Sequence, residues 1–91
     1  MAQVIVALRI MPVDISADLK GIEKKAGSEI KHFGGEVAKT AIQPFAFGLS
    51  SLIVHFIMDE KIGSTESLEN SISSIHGVGS VEVTDVRRSI G

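Results

Sequence analysis

The side chains best suited to chemistry in this chain are three histidines, one acidic pair and two pairs of serines. His32, His55 and His76 are far apart in the sequence and have no acidic neighbours at the spacing that metal ligation needs. Asp59 and Glu60 are typical of the solvated end of a strand, because a hard cation requires more oxygen ligands within one turn. The sequence therefore predicts no metal site.

The serine pairs do not predict a nucleophilic enzyme either. Ser50-Ser51 and Ser73-Ser74 have no base nearby in the sequence to activate a hydroxyl. The chain has no Gly-x-Gly-x-x-Gly or Walker-type loop, and the two glycines at 77 and 79 are typical of a turn after a helix. With no catalytic residue and no cofactor predicted, the pattern favours a binding module that acts through surface contacts.

The composition limits the classes of partner that such a module could bind. The 91 residues, 1–91, predict a single domain, and the absence of cysteine suits a reducing cytoplasm. The first residues have no basic segment of a signal peptide, and no apolar run approaches the roughly 20 residues of a membrane helix. A net charge of −2 and the lack of Tyr and Trp argue against direct nucleic-acid binding. We therefore expect a cytoplasmic protein with a protein partner or a small ligand.

One stretch combines the most apolar run of the chain with two phenylalanines, whose exposure to water is energetically unfavourable. Residues 52–58 predict a central strand, and Phe45 and Phe47 stand just before it, between Pro44 and Gly48. Burial of a phenylalanine is worth on the order of 2 kcal/mol, so these rings either fold back on the core or await a partner. Spacing along a strand would put both rings on one side, and the sequence does not say which of them points outward.

Hydrophobic periodicity predicts four strands and two helices in the order β-α-β-β-α-β. The strands are expected at residues 4–11, 36–42, 49–58 and 78–86, with the second one polar enough for a sheet edge. The first helix is expected to begin at an N-cap Asp14 or Ser16 and to end at Gly34-Gly35. Ser64 or Thr65 should cap the second helix. Its end is expected at residues 76–77, and the last strand should leave Arg87 and Arg88 in a tail.

This order predicts an α+β, ferredoxin-like sandwich with a four-stranded antiparallel sheet and both helices on one face. The other face would carry Ile5, Ala7, Ile53 and Ile57. This face would be more apolar than is usual for a surface that contacts only water. Two interpretations stay open, a scattered apolar surface and a face for weak self-association.

Several segments then resemble one family, the nucleotide-exchange domain of translation elongation factor 1-beta. Residues 44–52, Pro-Phe-Ala-Phe-Gly-Leu-Ser-Ser-Leu, are similar to the family's proline-x-x-aromatic-Gly-Ile-x-x-Leu loop. Residues 59–63 resemble its acidic-acidic-Lys-Val-Gly connection, and residues 78–88 its closing strand and tail. Residues 8–14 and the Asp-Leu pair at 18–19 are similar to its first strand and acidic helix start. The resemblance covers essentially the whole chain, at the length of the stand-alone archaeal form.

The resemblance implies an exchange factor for the GTPase elongation factor 1-alpha, in its GDP-bound or nucleotide-free form, with no bond chemistry of its own. In the family, an aromatic residue of this loop enters a pocket on the GTPase, and a basic residue near the C-terminus reaches toward the magnesium and phosphate-loop region. By position, Phe47 is the aromatic residue and Arg88 stands where the family usually has Lys. The implied partner-binding residues are Pro44, Phe45, Phe47, Gly48, Arg87 and Arg88.

The chain departs from the family pattern at two places. Ser50-Ser51 replaces a frequent Lys-Lys pair, and a guanidinium at Arg88 differs in shape from an ammonium, which leaves Arg87 as a competing candidate. Phe47 could also cover the edge of the core. An alternative function is a ferredoxin-like regulatory module that binds a small ligand through the open sheet face and the Gly34-Gly35 loop.

Overall fold

The structure is a computed structural model that describes residues 2–89. Its elements in chain order are β1 Gln3–Pro12, α1 Leu19–Phe33, β2 Glu36–Pro44, β3 Ser50–Asp59, α2 Glu66–Ser73 and β4 Val78–Ser89, with short 3₁₀ turns at Ala46–Gly48 and Glu60–Ile62. The four strands form one sheet in the order β2-β3-β1-β4, and every neighbouring pair is antiparallel. The predicted ferredoxin-like fold is confirmed.

Both helices cover the same face of the sheet. The apolar stripe of α1 (Ile22, Ala26 and Ile30) and that of α2 (Leu68 and Ile72) join a single buried cluster with the strands. The strand residues of this cluster are Val6, Leu8, Ile10, Leu52, Val54, Phe56, Met58 and Val78. All of them except Val78 of β4 are alternate residues of β1 and β3, as the period of two predicts. The core therefore lies between the helices and the two central strands.

Strand β3 is central and β2 is an edge strand, as the sequence predicts. Residues of β2 are exposed or half-buried throughout its length. β2 extends two residues further than expected, to Pro44, which pairs with Ser50. A proline is tolerated there because an edge strand has one side free of ladder hydrogen bonds.

The start of α1 differs from the prediction. Its N-cap is Asp18 rather than Asp14 or Ser16, and the Asp18 carboxylate accepts a hydrogen bond of 3.1 Å from the Gly21 N–H. Asp14 instead accepts hydrogen bonds from the backbone and the hydroxyl of Ser16, so these two residues fold the loop before the helix. Short polar side chains serve equally well at caps and in turns, and the sequence pattern did not separate the two uses.

Helix α2 is shorter than predicted. Thr65 is its N-cap, one of the two residues expected, but the helix ends at Ser73. The hydroxyls of Ser73 and Ser74 both donate to the carbonyl oxygen of Asn70, at 2.8 and 3.0 Å. These bonds satisfy a carbonyl of the last turn, while Ile75 still packs against the core from the turn that follows. In the part of the chain that the structure covers, no helix is long and apolar enough to span a membrane.

Strand β4 runs further than predicted, and a β-bulge changes its register. Val83 pairs with Leu8 while Asp85 pairs with Ala7, so Thr84 is the extra residue, and its hydroxyl donates to the Ala7 carbonyl at 3.3 Å. Beyond the bulge, Val86 pairs with Val6. Paired residues of an antiparallel ladder point to the same face, so the bulge decides which side of the sheet each later residue occupies.

Candidate partner-binding site

The loop between β2 and β3 is a closed turn. The Phe45 N–H donates to the Leu49 carbonyl oxygen at 2.7 Å, and the Leu49 N–H donates to that of Ala46 at 3.2 Å. Between them, Ala46–Gly48 forms a single 3₁₀ turn, with Gly48 at a positive φ of 77°. The loop thus follows directly from two paired strands and has its own hydrogen bonds, which restrict its motion.

Phe47 is the most exposed large apolar residue that the structure describes. Its side chain is 96% exposed, compared with 51% for Phe45. The interpretation that Phe47 covers the edge of the core is therefore wrong. The strand spacing that would put both rings on one side does not apply either, because Phe45 has extended backbone and Phe47 lies within the turn. Phe47 is the ring that points outward.

The backbone of Phe47 is strained. Its φ of 61° and ψ of 32° lie in the left-handed region, and it is the one non-glycine residue with a positive φ within residues 2–89. A side chain in this region costs about 1–2 kcal/mol. A bulky apolar ring that is both strained and exposed contributes nothing to the core, and such outliers concentrate at binding sites.

This strain gives a testable prediction about stability. The free energy of unfolding should be about 1 kcal/mol higher for Phe47→Gly than for Phe47→Ala, because glycine adopts a positive φ without steric cost. Urea denaturation followed by circular dichroism measures the difference. Both variants lack the ring, so the comparison isolates the backbone. Equal stability of the two variants would contradict the assigned strain.

The two arginines lie in β4 rather than in a tail. Arg88 pairs with Val4 and Arg87 pairs with Ile5, so Arg88 is on the helix side of the sheet and Arg87 on the open side. Both side chains are exposed. The sequence prediction of a tail after residue 86 is therefore wrong for these two residues. Residues 90 and 91, which belonged to the same predicted tail, lie outside the described residues.

Each arginine has an acidic partner. The Arg87 Nε donates to Asp85 Oδ2 at 2.7 Å on its own strand, and the Arg88 guanidinium forms an ion pair with the Glu60 carboxylate. Glu60 belongs to the turn after β3, where its N–H donates to the Ala2 carbonyl at 3.1 Å and Asp59 accepts a hydrogen bond from the Lys61 N–H at 2.8 Å. Sequence reasoning missed the pairing of Glu60 with Arg88, because the two residues are 28 positions apart.

The structure divides the predicted site residues between the two ends of the sheet. Pro44, Phe45, Phe47 and Gly48 lie together at the end where β3 begins. Arg88 pairs with Val4, which in turn pairs with Met58 near the end of β3. Ser50 and Met58 are eight residues apart along this strand, which corresponds to about 26 Å. A partner that contacts both groups must span the length of the sheet.

Ser51 does not take the place of a charged contact residue. It is 1% exposed, and its hydroxyl donates to the Gln43 carbonyl at 3.2 Å, which ties β3 to the edge strand. Ser50 is half-buried beside it. The pair therefore supports the base of the loop, and the surface contact that a Lys-Lys pair would offer is absent at these two positions.

The Gly34-Gly35 segment forms the C-terminal cap of α1. Gly34 has a φ of 105°, and the Gly35 N–H donates to the Ile30 carbonyl at 2.9 Å, which closes the C-terminus of α1. A Cβ on Gly35 would approach both Ile30 and the Phe56 ring to 3.0 Å. The Gly35 backbone thus packs directly on the core, while an open surface cavity beside it is lined by Gly27, Lys31, Glu36 and Val37.

Comparisons with known proteins agree on one family. The family model described as EF-1 guanine nucleotide exchange domain matches residues 5–88. Elongation factor 1-beta of Methanothermobacter thermautotrophicus is 39% identical over 88 residues, which cover 97% of this chain and 98% of that protein. Elongation factor 1-beta of Desulfurococcus amylolyticus is 40% identical over 89 residues, with the same coverage of both chains.

Solved structures support the fold alone. The ACT domain from GTP pyrophosphokinase of Chlorobium tepidum has a TM-score of 0.58 at 15% identity, and the match covers 87% of this chain and 95% of that one. The C-terminal domain of the MgtC protein from Mycobacterium tuberculosis also has a TM-score of 0.58, at 16% identity, over 98% of this chain and 87% of that one. On the family match and on relatives of nearly equal length, this chain belongs to the EF-1 guanine nucleotide exchange domain family of elongation factor 1-beta.

Proposed function

We propose that this protein promotes GDP release from elongation factor 1-alpha, so that GTP can bind and aminoacyl-tRNA delivery can continue. The observation that carries the proposal is Phe47, a nearly fully exposed ring held on a hydrogen-bonded turn in a member of an exchange-factor family. Exposed aromatic side chains that are already ordered make effective anchors, because little conformational entropy is lost when a partner pocket buries them.

The second contact is made by Arg88 at the other end of the sheet. A GTPase holds GDP through a phosphate-binding loop and a magnesium ion, so a cation placed at the ion's position lowers the affinity for the nucleotide. In the free protein Glu60 neutralises Arg88 in part and orients its guanidinium. An exposed ion pair is worth about 0–1 kcal/mol, so Arg88 can exchange Glu60 for the GTPase at small cost.

The energetic requirement falls on contacts that are stronger with the nucleotide-free GTPase than with its GDP-bound form. Lowering the affinity for GDP a thousandfold requires about 4 kcal/mol of differential binding. A buried aromatic anchor contributes about 2 kcal/mol to the affinity for either form of the GTPase, so it holds the protein in place without itself weakening GDP binding. Hydrogen bonds to a charged group are worth about 1.5–3 kcal/mol, and those of Arg88 would form fully only after the magnesium ion has left. The exchange factor itself breaks no bond.

The test of this proposal is thermodynamic reciprocity. Linkage requires that the factor by which this protein weakens GDP binding equals the factor by which GDP weakens binding of this protein. Titration calorimetry of the protein into nucleotide-free and GDP-loaded GTPase should show dissociation constants that differ by about a thousandfold. Equal affinity for the two forms would overturn the proposal, because a ligand without differential affinity shifts no equilibrium.

Arg88 gives a prediction of its own. Arg88→Ala should lower the maximal rate of GDP release about tenfold at saturating protein, because the lost hydrogen bonds to charged groups are worth more than 1.4 kcal/mol. Arg88→Lys should retain most of the rate, since it keeps the positive charge. Stopped-flow release of fluorescent GDP measures both variants. If Arg87→Ala slows release and Arg88→Ala does not, the assignment to Arg88 is wrong.

A further inference from the structure

We infer that the loop between β1 and α1, residues 13–18, forms a second part of the surface that binds the GTPase, with Ile15 as its main contact beside Phe47. The inference rests on the proposed function and extends the anchor from one residue to two loops. Four observations support it: exposed apolar residues are concentrated at this end of the sheet, the two loops lie close together, hydrogen bonds order the loop, and the Asp14 carboxylate is exposed within it.

Exposed apolar side chains concentrate at one end of the sheet. Nine large apolar residues are exposed within the described chain, and five of them belong to this end. They are Val13, Ile15, Ile42, Phe45 and Phe47. Val13 is 61% exposed and Ile15 is 73% exposed, and neither of them packs against the core cluster. Scattered exposed apolar residues are ordinary, but a group of them around a strained aromatic residue is typical of an interaction surface.

The two loops lie close together. A Cβ placed on Gly48 would lie 3.8 Å from Cγ2 of Ile15, so the Ile15 side chain stands against the backbone next to Phe47. A pocket that accepts the Phe47 ring must therefore bring its rim close to Ile15. Exposed apolar residues of the two loops therefore lie near one another, although the loops are about 30 positions apart in the sequence.

The loop is held in one conformation by its polar groups. Asp14 Oδ1 accepts hydrogen bonds from the Ser16 N–H at 2.9 Å and from the Ser16 hydroxyl at 2.6 Å, and the Val13 N–H donates to the Gly77 carbonyl at 2.9 Å. These bonds use the polar residues for folding and leave Val13 and Ile15 facing solvent. An ordered loop loses little entropy on binding, as a contact surface requires.

Asp14 adds a chemical requirement for the partner surface. The hydrogen bonds from the hydroxyl and then the backbone of Ser16 hold the pKa of the Asp14 carboxyl below its usual value, so the group stays ionised. The complementary region of the GTPase is therefore an apolar rim around the Phe47 pocket, with a hydrogen-bond donor or a cation at the margin that faces Asp14.

The experiment compares Ile15→Ser with a control variant, Val37→Ser, which changes an exposed apolar residue of the edge strand. Both variants are measured in GDP release and in titration with nucleotide-free GTPase. Ile15→Ser should raise two quantities about tenfold, the concentration that gives half-maximal GDP release and the dissociation constant for the nucleotide-free GTPase. The maximal rate of release should be unchanged. Val37→Ser should change each value less than twofold. Thermal unfolding confirms that both variants are folded. Unchanged affinity in Ile15→Ser would overturn the inference.

A double variant separates contact from support. If Ile15 touches the partner, Ile15→Ser should still weaken binding about tenfold in a Phe47→Ala background. If Ile15 only supports the Phe47 loop, the second substitution should cause no further loss of affinity, and the inference is wrong. Sedimentation analysis tests a remaining alternative, that this surface binds a second copy of the chain. That alternative would hold if the wild type is a dimer, Ile15→Ser dissociates it, and the affinity for the GTPase is unchanged.

Failure of the proposed function gives a different pattern. Wild-type protein that binds the GTPase without accelerating release would refute the exchange function, while the Ile15→Ser affinity would still decide the role of this loop. Wild-type protein that does not bind at all would refute both.

Discussion

Replacing Phe47 with alanine should reduce the acceleration of GDP release about 30-fold at concentrations well below saturation, since burial of the ring in the partner is worth about 2 kcal/mol. The fold should be unaffected, because the ring is 96% exposed and touches no core residue. Release of fluorescent GDP from elongation factor 1-alpha, measured over a range of exchange-factor concentrations, gives the loss directly.

The matched control for this variant is Val37→Ala, which also removes an exposed apolar side chain but lies in the edge strand away from the loop. It should leave release within twofold of the wild type. Phe45→Ala should have an intermediate effect, since that ring is half exposed at the base of the same turn. A folded Phe47→Ala variant with wild-type release would show that the anchor has been assigned to the wrong residue.

The largest effect on stability should come from Phe56→Ala. Phe56 is fully buried at the centre of β3, where it pairs with Val6 of β1 and its ring lies against the backbone of Gly35. Loss of the ring removes its transfer free energy and leaves a cavity, so the free energy of unfolding should fall by about 4 kcal/mol. Urea denaturation at 25 °C measures the change.

The chain provides its own comparison for this loss. Phe47→Ala deletes the same atoms from the surface and should change the free energy of unfolding by less than about 0.5 kcal/mol. The two phenylalanines are nine positions apart, one in the scaffold and the other in the loop that the scaffold presents. A loss below about 1 kcal/mol for Phe56→Ala would mean that this strand does not anchor the core.

The fold could be predicted from sequence because its signals are local and mutually consistent. Alternation of apolar residues predicts β1 and β3, the stripe through Ile22, Ala26 and Ile30 predicts α1, and Gly34-Gly35 ends that helix. The order of elements then restricts the topology to very few arrangements. The register of β4 was not predictable in the same way, because the bulge at Thr84 depends on pairing with β1.

The geometry of the site could not be predicted where it depends on contacts between distant residues. The sequence names Phe45 and Phe47, but only the closed turn shows that Phe47 is the exposed ring. The bulge puts Arg88 on the helix side of the sheet, where it meets Glu60, for which the sequence alone predicts only a solvated strand end. Neither the turn nor the ion pair has a signal within a short window of sequence.

Under the proposed function, the sheet would set the distance between two contacts on the GTPase. The sheet is a stiff spacer, since β1 pairs with β3 and with β4 over most of its length. The apolar loop at one end and Arg88 at the other are therefore kept about 26 Å apart. We expect the anchor to determine affinity and the arginine to determine the maximal rate, which is why the variants at the two ends should separate these two quantities.

The most direct measurement is the rate of fluorescent GDP release from purified elongation factor 1-alpha in the presence of excess unlabelled GDP, with and without this protein. We expect the rate to rise with exchange-factor concentration to a plateau at least a hundredfold above the spontaneous rate, as about 3 kcal/mol of differential binding would give. A release rate that stays at the spontaneous value at every concentration, with folded protein and active GTPase, would contradict the exchange function.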